Sequence, residues 1–316
     1  MTLENLSSKI GQVRKEAGKA LVGQSKMLDL LITSLLANGH VLIEGVPGVA
    51  KTLTARILSK MVKATFKRIQ FTPDLMPSDI LGTSVFNLKT RDFEYKKGPI
   101  FGDIVLIDEV NRAPAKTQSS LFEVMEERQI TNDGTTYQLG GFFMVIATQN
   151  PIEQEGTYKL PEAQLDRFLF KIAAEYPTDE DEVRILSLNN EKPSFKSLDF
   201  INHILTVEDI LAARELTGGI LIKKTLLKYI SLLVQATRSN PSLYLGASPR
   251  AAIDLMNASK AYAALNGRDF ATPEDIQFLF RPVIEHRVIA APEAELQGIT
   301  MEEISRQIIQ QVEVPK

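Results

Sequence analysis

Apolar residues along the chain follow two spacings, one typical of helices and one typical of short buried strands. Residues 2–18 carry an apolar residue at every third or fourth position, which predicts an amphipathic helix. Residues 24–36 repeat this pattern, and Gly39 beyond them is a typical helix stop. Five short apolar runs are predicted to be strands, namely residues 41–43, 69–71, 104–107, 142–147 and 168–172.

Helical patterns separate these strands, as in residues 118–127, and the alternation predicts a doubly wound parallel sheet of the α/β class. Because most residues of these runs are apolar, without alternating polar positions, we expect the sheet to be buried on both faces. Residues 82–99 are expected to form a hairpin, and residues 129–139 a second one around the turn Asn132-Asp133-Gly134. Neither hairpin is expected to extend the sheet.

The pattern changes after Pro177, where helices alone are predicted. Thr178 precedes an acidic first turn, as the N-terminal cap of a helix does. Residues 300–303 match a capping box before the last helix. Residues 189–200 are polar and are predicted to be a linker. We therefore predict two domains, an α/β core in residues 1–177 and a small all-helical lid in residues 178–316.

The composition narrows the possible function classes. Of the 316 residues, 44% are hydrophobic and 24% are charged, as in an ordinary globular protein. The formal net charge of -3 shows no basic excess, which argues against a nucleic-acid partner. The chain has no cysteine, which excludes thiol chemistry, and its three histidines match no metal-ligand spacing. No signal peptide or membrane span is recognisable, so we predict a cytoplasmic location.

A glycine-bearing loop follows the first predicted strand and precedes a helical stretch. The expected phosphate-binding residues are Gly45, Val46, Pro47, Gly48, Val49, Ala50, Lys51, Thr52 and Leu53. Ala50 stands where the usual pattern has glycine, and we expect it to adopt helical dihedral angles. Strand, loop and helix together direct backbone N–H groups and Lys51 toward phosphates, and the Thr52 hydroxyl toward Mg²⁺. The alternative is a structural corner with a surface lysine.

Two further predicted strands lead to polar side chains. Residues 104–107 are followed by Asp108 and Glu109, and another apolar run leads to Asn150. We expect Asp108 to hold hydrated Mg²⁺, Glu109 to polarise the attacking water, and Asn150 to orient that water. The alternatives are solvated acids at the end of a strand and a turn initiated by Asn150-Pro151.

The segments GVPGVAKT, LIDEVNRAP, ATQNP, LPEAQLDRF and ASPR, in this order, resemble the MoxR family of AAA+ ATPases over nearly the whole chain. The resemblance implies a P-loop AAA+ core and a helical lid, with the hairpins as the helix-2 insert and the pre-sensor hairpin. It implies that Arg167 is an arginine finger that reaches the neighbouring subunit's nucleotide. It implies that Arg250 senses the nucleotide of its own subunit. It places the adenine beside Val22, Gly23 and Gln24.

A structural ion pair is the alternative for Arg167, and a simple helix start is the alternative for residues 22–24. With these roles, the resemblance implies an ATP-hydrolysing motor that uses ATP and Mg²⁺. It implies a ring, expected to be a homo-hexamer, that remodels or activates protein clients, among them proteins with a von Willebrand factor A domain. Two other functions stay open, the motor subunit of a metal chelatase and a non-hydrolysing nucleotide-gated scaffold. A DNA motor is the least favoured.

Overall fold

The computed structural model describes residues 1–151, 156–191 and 198–315. Its strands, in chain order, are β1 (Val41–Glu44), β2 (Phe66–Gln70), β3 (Gly82–Asn87), β4 (Asp92–Lys97), β5 (Ile104–Asp108), β6 (Gln129–Asn132), β7 (Thr135–Gln138), β8 (Met144–Gln149), β9 (Phe170–Ala173), β10 (Leu243–Leu245) and β11 (Ile289–Ala290). Its helices are α1 (Leu3–Ala17), α2 (Ser25–Leu36), α3 (Lys51–Met61), α4 (Pro77–Leu81), α5 (Ala115–Glu127), α6 (Glu162–Leu165), α7 (Asp179–Glu191), α8 (Val207–Gly218), α9 (Lys224–Ser239), α10 (Pro249–Leu265), α11 (Pro273–Ile284), α12 (Pro292–Leu296) and α13 (Met301–Gln311).

The core is a parallel five-stranded sheet with the order β2-β5-β8-β1-β9, which confirms the predicted doubly wound α/β fold. The five predicted strands are present, although their bounds differ by up to three residues. The largest difference is in β2, which begins at Phe66, because this edge strand exposes Lys67 and Arg68. Because these residues are charged, the start of the strand does not belong to a continuous apolar run and was not predicted.

Both faces of the sheet are buried, as the apolar strands predicted. In β5, Ile104 and Leu106 belong to one hydrophobic cluster, whereas Val105 and Ile107 belong to another. Neighbouring residues of a strand point to opposite faces, so each cluster covers one face of the sheet. Helices α1, α2, α3 and the lid helices contribute to the first cluster, and α4 and α5 contribute to the second.

The two hairpins are separate two-stranded sheets, β3–β4 and β6–β7, and neither joins the core sheet, as predicted. Asp133 and Gly134 both have positive φ, 48° and 75°, as the tight turn of a two-residue hairpin loop requires. The rings of Tyr95 and Tyr137 stack with their centroids 4.4 Å apart. The hairpins therefore contact each other on one side of the core.

The segment after Pro177 is helical, as predicted, and it also contains the short antiparallel pair β10–β11. The prediction of helices alone missed this pair because strands of three and two residues are too short to show alternation. Of the predicted linker, residues 189–191 end α7, residues 192–197 lie outside the described residues, and Leu198 is buried.

The N-terminal helices pack against the lid as well as the core. Helix α2 contacts α8 and α10, and α1 contacts α10 and α3. Lys9 forms an ion pair with Asp209 at 2.6 Å, and one hydrophobic cluster extends from Leu6 to Ile308. The lid is therefore continuous with the core in its packing, and the boundary after residue 177 stays a prediction. Within the described part of the chain, none of the helices combines the length and apolarity needed to cross a membrane.

His40 is a buried link between the sheet and α5. Its Nδ1 accepts a hydrogen bond from the Val145 amide at 2.9 Å, and its Nε2 donates to the Met125 carbonyl at 3.2 Å. This pattern requires the neutral imidazole. Burial, and then the nearby Arg128, lowers the pKa of His40 to about 3. His40 is therefore a core histidine with both ring nitrogens hydrogen-bonded.

Acid is expected to destabilise the protein through this histidine. Between pH 6.5 and about 3 the unfolded chain binds a proton at His40 that the folded chain does not bind, so stability falls as the pH falls through this range. The loss is about 1.4 kcal/mol at pH 5.5 for one such histidine. Buried His286, whose pKa is also lowered, changes stability in the same direction. Urea unfolding at pH 7.5 and 5.5 measures the difference.

His40→Gln is the matched variant for this measurement. It is expected to be less stable at both pH values and to lose about 1.4 kcal/mol less than the parent protein between pH 7.5 and 5.5. An equal loss in parent and variant would show that His40 does not carry this pH dependence.

Candidate functional site

The glycine-bearing loop lies at the carboxyl end of β1, an interior strand between β8 and β9, and α3 begins at Lys51. Gly48 has a φ of +92°, a conformation that favours glycine. Ala50 is also left-handed, with φ 59° and ψ 18°, which corrects the expectation of helical angles. The loop turns into α3 at this residue, and the left-handed conformation costs an alanine about 1 kcal/mol. The exposed first-turn N–H groups of a helix that begins here suit an anion.

A cleft of about 390 Å³ opens beside this loop. It is lined by Pro47, Gly48, Ala50, Lys51, Thr52, Leu53, Arg68, Gln70, Asp108, Glu109, Thr148 and Asn150. The structure thus brings the loop, both predicted acids and the predicted amide to one edge of the sheet. Three loop residues do not line the cleft. Val49 is buried in the core, Val46 packs against it, and Gly45 lies so close to Ala174 that a Cβ would be 2.9 Å from it.

Asp108 is the last residue of β5 and is buried. Its Oδ1 accepts hydrogen bonds from the hydroxyls of Thr148 at 3.2 Å and Thr52 at 3.5 Å. A carboxylate and a hydroxyl side by side supply the oxygen ligands that Mg²⁺ takes when it also binds nucleotide phosphates. The residues present therefore fit a magnesium–nucleotide complex. On its other side, Asp108 forms an ion pair with Arg68 of β2 at 2.6 Å.

Glu109 follows β5 in a left-handed conformation, with φ 58° and ψ 54°. Such strain in a residue other than glycine is concentrated at functional sites. Its carboxylate accepts hydrogen bonds from Gln70 and Arg112, both at 3.0 Å. Its backbone N–H donates to the Thr148 hydroxyl at 3.1 Å. The carboxylate is therefore held at the cleft, where it can accept a proton from a water molecule.

A second cavity, of about 100 Å³, lies between α2, β9 and α11. Gly23 and Gln24, both predicted adenine-side residues, line it together with Phe278 and Pro282 of the lid. Val22, the third predicted residue, is buried and is not part of its lining. The described lining residues of this cavity and of the phosphate-loop cleft do not overlap.

The two cavities are nevertheless neighbours in the fold. The side-chain amide of Gln24 donates to the Glu175 carbonyl at 3.5 Å. The adjacent residue, Ala174, packs on Gly45 at the start of the phosphate loop. The segment that follows β9 therefore separates the predicted base side from the phosphate side of the site.

Arg167 lies at the opposite edge of the sheet from the phosphate loop. The amide of Leu169, two residues later, donates to the carbonyl of His40, which directly precedes β1. The phosphate loop instead follows the last residue of β1, and a strand of four residues spans about 13 Å. Arg167 therefore lies at least a strand length from its own phosphate loop, and its role between subunits stays a prediction.

Arg250 lies beside Arg167 and not beside the phosphate loop. One carboxylate oxygen of Glu126 accepts from Arg250 at 3.2 Å and pairs with Arg167 at 3.4 Å. Arg167 also donates to the Phe122 carbonyl at 2.7 Å. In this structure Arg250 therefore lies away from the phosphate loop of its own subunit, and its role toward a nucleotide stays a prediction. The start of lid helix α10 packs near the amino edge of the sheet and carries Arg250 to that edge.

Three further residues contact the predicted site residues and were not predicted from the sequence, namely Arg68, Gln70 and Glu126. The first two are two residues apart on β2 and so share one face of the strand next to β5. If the order of the strands had been known, the alternation of side chains along β2 would have placed Arg68 and Gln70 beside Asp108 and Glu109. Glu126 has no local signal, because its two arginine partners are distant in the chain.

Two family models match the chain. The model described as the ATPase family associated with various cellular activities (AAA) matches residues 40–170, and the AAA lid domain model matches residues 235–308. A crystal structure of a candidate ATPase from Cytophaga hutchinsonii, 43% identical in sequence, superimposes with a TM-score of 0.91. The match covers 99% of this chain and 97% of that chain.

Whole-chain relatives agree with these matches. The chain is 47% identical to an uncharacterized Bacillus subtilis protein, YeaC, over 99% of this chain and 97% of the relative. It is 40% identical to chaperone MoxR1 of Mycobacterium tuberculosis, over 95% of this chain and 81% of the relative. It is 30% identical to protein MoxR of Methylorubrum extorquens, over 89% and 88%. This chain therefore belongs to the MoxR family of AAA+ ATPases.

Proposed function

We propose that this protein hydrolyses ATP with Mg²⁺ at a site that is completed between two subunits. The observation that carries the proposal is the placement of two half-sites at opposite edges of one sheet. The cleft with Lys51 and Glu109 lies at the carboxyl edge, and Arg167 and Arg250 lie at the amino edge. A head-to-tail neighbour brings the two halves onto one nucleotide, and such contacts close into a ring. We propose a homo-hexamer.

Within one subunit, the chain's own groups hold the substrate and prepare the water. Lys51, whose ammonium donates to the Gly45 carbonyl in this structure, turns to the β- and γ-phosphates together with the loop amides. Thr52 and Asp108 hold Mg²⁺, which neutralises phosphate charge when it is bound. Glu109 takes a proton from the attacking water, and Asn150 orients that water. Gly23 and Gln24 contact the base, which the lid covers.

Across the interface, Arg167 and Arg250 leave Glu126 and meet the γ-phosphate of the neighbouring subunit. Their side chains are 30% and 44% exposed, so both can reach a partner surface. Charge develops on the phosphoryl oxygens in the transition state, and guanidinium groups stabilise it. Assembly therefore controls the rate of hydrolysis.

We further propose that the ring remodels or activates protein clients, among them proteins with a von Willebrand factor A domain. Support comes from the name of one relative, chaperone MoxR1, and from the hairpin β3–β4. This hairpin exposes Phe86, Phe93 and Leu88 outside the core. The cytoplasmic location stays a prediction of the sequence.

Dilution is expected to switch off ATP turnover. Because each site requires two subunits, turnover per subunit is expected to fall when the protein is diluted below the concentration at which light scattering shows the assembly to dissociate. The measurement is phosphate release with Mg²⁺-ATP over a dilution series, and Lys51→Ala is the inactive control. Turnover per subunit that stays constant in the monomer would contradict the proposal. Binding of ATP without any turnover would instead support the scaffold interpretation.

A further inference from the structure

Arg287, in the turn after α11, is a buried cation whose side chain is 1% exposed. It forms ion pairs with Asp166 at 3.1 Å and with Asp254 at 2.6 Å. Its Nη2 also donates to the backbone carbonyls of Asp166 at 3.3 Å and of Phe168 at 2.8 Å. A buried arginine with this set of acceptors holds its neighbours in one arrangement, since each group loses a partner if one of them moves.

The contacts of Arg287 surround both arginines of the amino edge. Asp166 and Phe168 are the residues immediately before and after Arg167, so Arg287 fixes the backbone on both sides of that arginine. Asp254 lies four residues after Arg250 on α10, and thus on the same face of the helix. One side chain therefore ties the Arg167 loop to the lid helix that carries Arg250.

The neighbouring residue strengthens the link to the loop. Nε2 of His286 lies 2.8 Å from the same Phe168 carbonyl, and this histidine is buried beside Arg287. The Phe168 ring in turn packs edge-to-face on Phe122, whose carbonyl accepts from Arg167. The loop is therefore held by contacts from the lid on one side and from α5 on the other.

We infer that Arg287 is a positioning residue that holds Arg167 and Arg250 in the arrangement needed at the neighbouring subunit's nucleotide. This inference rests on the proposed function above. Arg287 contacts neither the phosphate loop nor the acids of its own cleft, so its effect is exerted on the next subunit. A movement of the lid is transmitted through Arg287 to both arginines together.

The test uses the full-length protein with Arg287→Lys, which keeps the charge but loses the planar fork that spans two carboxylates and two carbonyls. Turnover of Mg²⁺-ATP is expected to fall at least about tenfold, while the affinity for nucleotide stays within about twofold, because the cleft is intact. Arg287→Met removes the charge as well, and it is expected to lower turnover further than Arg287→Lys. Arg268→Lys is the matched control, since Arg268 pairs with Asp275 in the lid at 2.5 Å without contacting the arginine loop.

Mixing of inactive subunits separates positioning from a general structural defect. Arg287→Lys subunits keep an intact phosphate-loop cleft. Glu109→Gln subunits keep Arg167 and Arg250 correctly placed at the amino edge of the sheet. When the two variants assemble at random in equal amounts, about one quarter of the interfaces place an intact cleft opposite an intact pair of arginines. Turnover is therefore expected to return in the mixed rings. Arg167→Ala mixed with Glu109→Gln tests the intersubunit site itself in the same way.

Four outcomes overturn the inference. Turnover of Arg287→Lys within twofold of the parent would show that the contacts have no effect on the arginines. Equal losses of turnover and nucleotide affinity would place the effect in the subunit's own cleft. Recovery with Arg167→Ala but not with Arg287→Lys would refute the positioning role and leave the proposed function standing. Failure of both mixtures to recover would refute the proposed function, and the inference with it.

Discussion

Replacement of Glu109 with glutamine is expected to slow ATP hydrolysis by about 10²–10⁴-fold and to leave ATP binding nearly unchanged. The amide of glutamine cannot accept a proton from water. It can still accept a hydrogen bond from Arg112, which contacts Glu109 at 3.0 Å, so the local fold is expected to persist. Single-turnover hydrolysis gives the rate, and titration with a fluorescent ATP analogue in the presence of Mg²⁺ gives the affinity.

Asp103→Asn is the matched control for this substitution. Asp103 directly precedes the same strand, β5, at its amino end, and its carboxylate accepts from the Thr65 amide at 2.7 Å. Loss of that charge is expected to affect stability and not hydrolysis. If Glu109→Gln hydrolysed ATP at the parental rate, Glu109 would not be the general base.

Replacement of Arg167 with alanine is expected to lower ATP turnover by about 10³–10⁵-fold, the range that arginine fingers contribute. Nucleotide affinity of the isolated subunit is expected to stay unchanged, because Arg167 lies at the far edge of the sheet. The variant also removes the hydrogen bond from Arg167 to the Phe122 carbonyl at 2.7 Å, which is expected to lower stability by about 0.5–1.5 kcal/mol. Steady-state kinetics, nucleotide titration and urea unfolding measure the three quantities.

Arg250→Ala is the informative companion variant. If Arg250 acts across the interface, both arginine variants recover turnover when mixed with Glu109→Gln subunits. If Arg250 acts on its own subunit's nucleotide, as the resemblance implied, its variant stays inactive in that mixture whereas Arg167→Ala recovers. Parental turnover of Arg167→Ala would show that its ion pair with Glu126 is purely structural.

Much of the fold could be predicted because local patterns reflect burial directly. The apolar run of β5 is buried on both faces, and its length and composition show this without any knowledge of its neighbours. The start of edge strand β2 was harder to predict, because this strand has solvent on one side where an interior strand has a neighbour. Charged residues such as Lys67 and Arg68 are tolerated there. The pair β10–β11 could not be seen, since strands of three and two residues are too short to show alternation.

Residues of the site could be predicted where a strand delivers them to the sheet edge. Asp108 and Glu109 follow β5 directly, and the phosphate loop follows β1, so parallel pairing alone brings them together. The helical dihedral angles predicted for Ala50 were wrong, because the backbone angles of one loop residue depend on how the loop enters α3. The contacts of Gln70 with Glu109 depend on the strand order, which one sequence does not specify.

The sequence by itself determined a MoxR-type core, its phosphate loop and the acids beside it, because these features arise from contiguous strand–loop segments. The tertiary structure alone decided which edge of the sheet each arginine faces. Arg167 and Arg250 lie 83 positions apart in the sequence, and their shared contact with Glu126 depends on how the lid packs against the core. Long-range packing is set by the whole hydrophobic core, so the proximity of these two arginines could be found only in three dimensions.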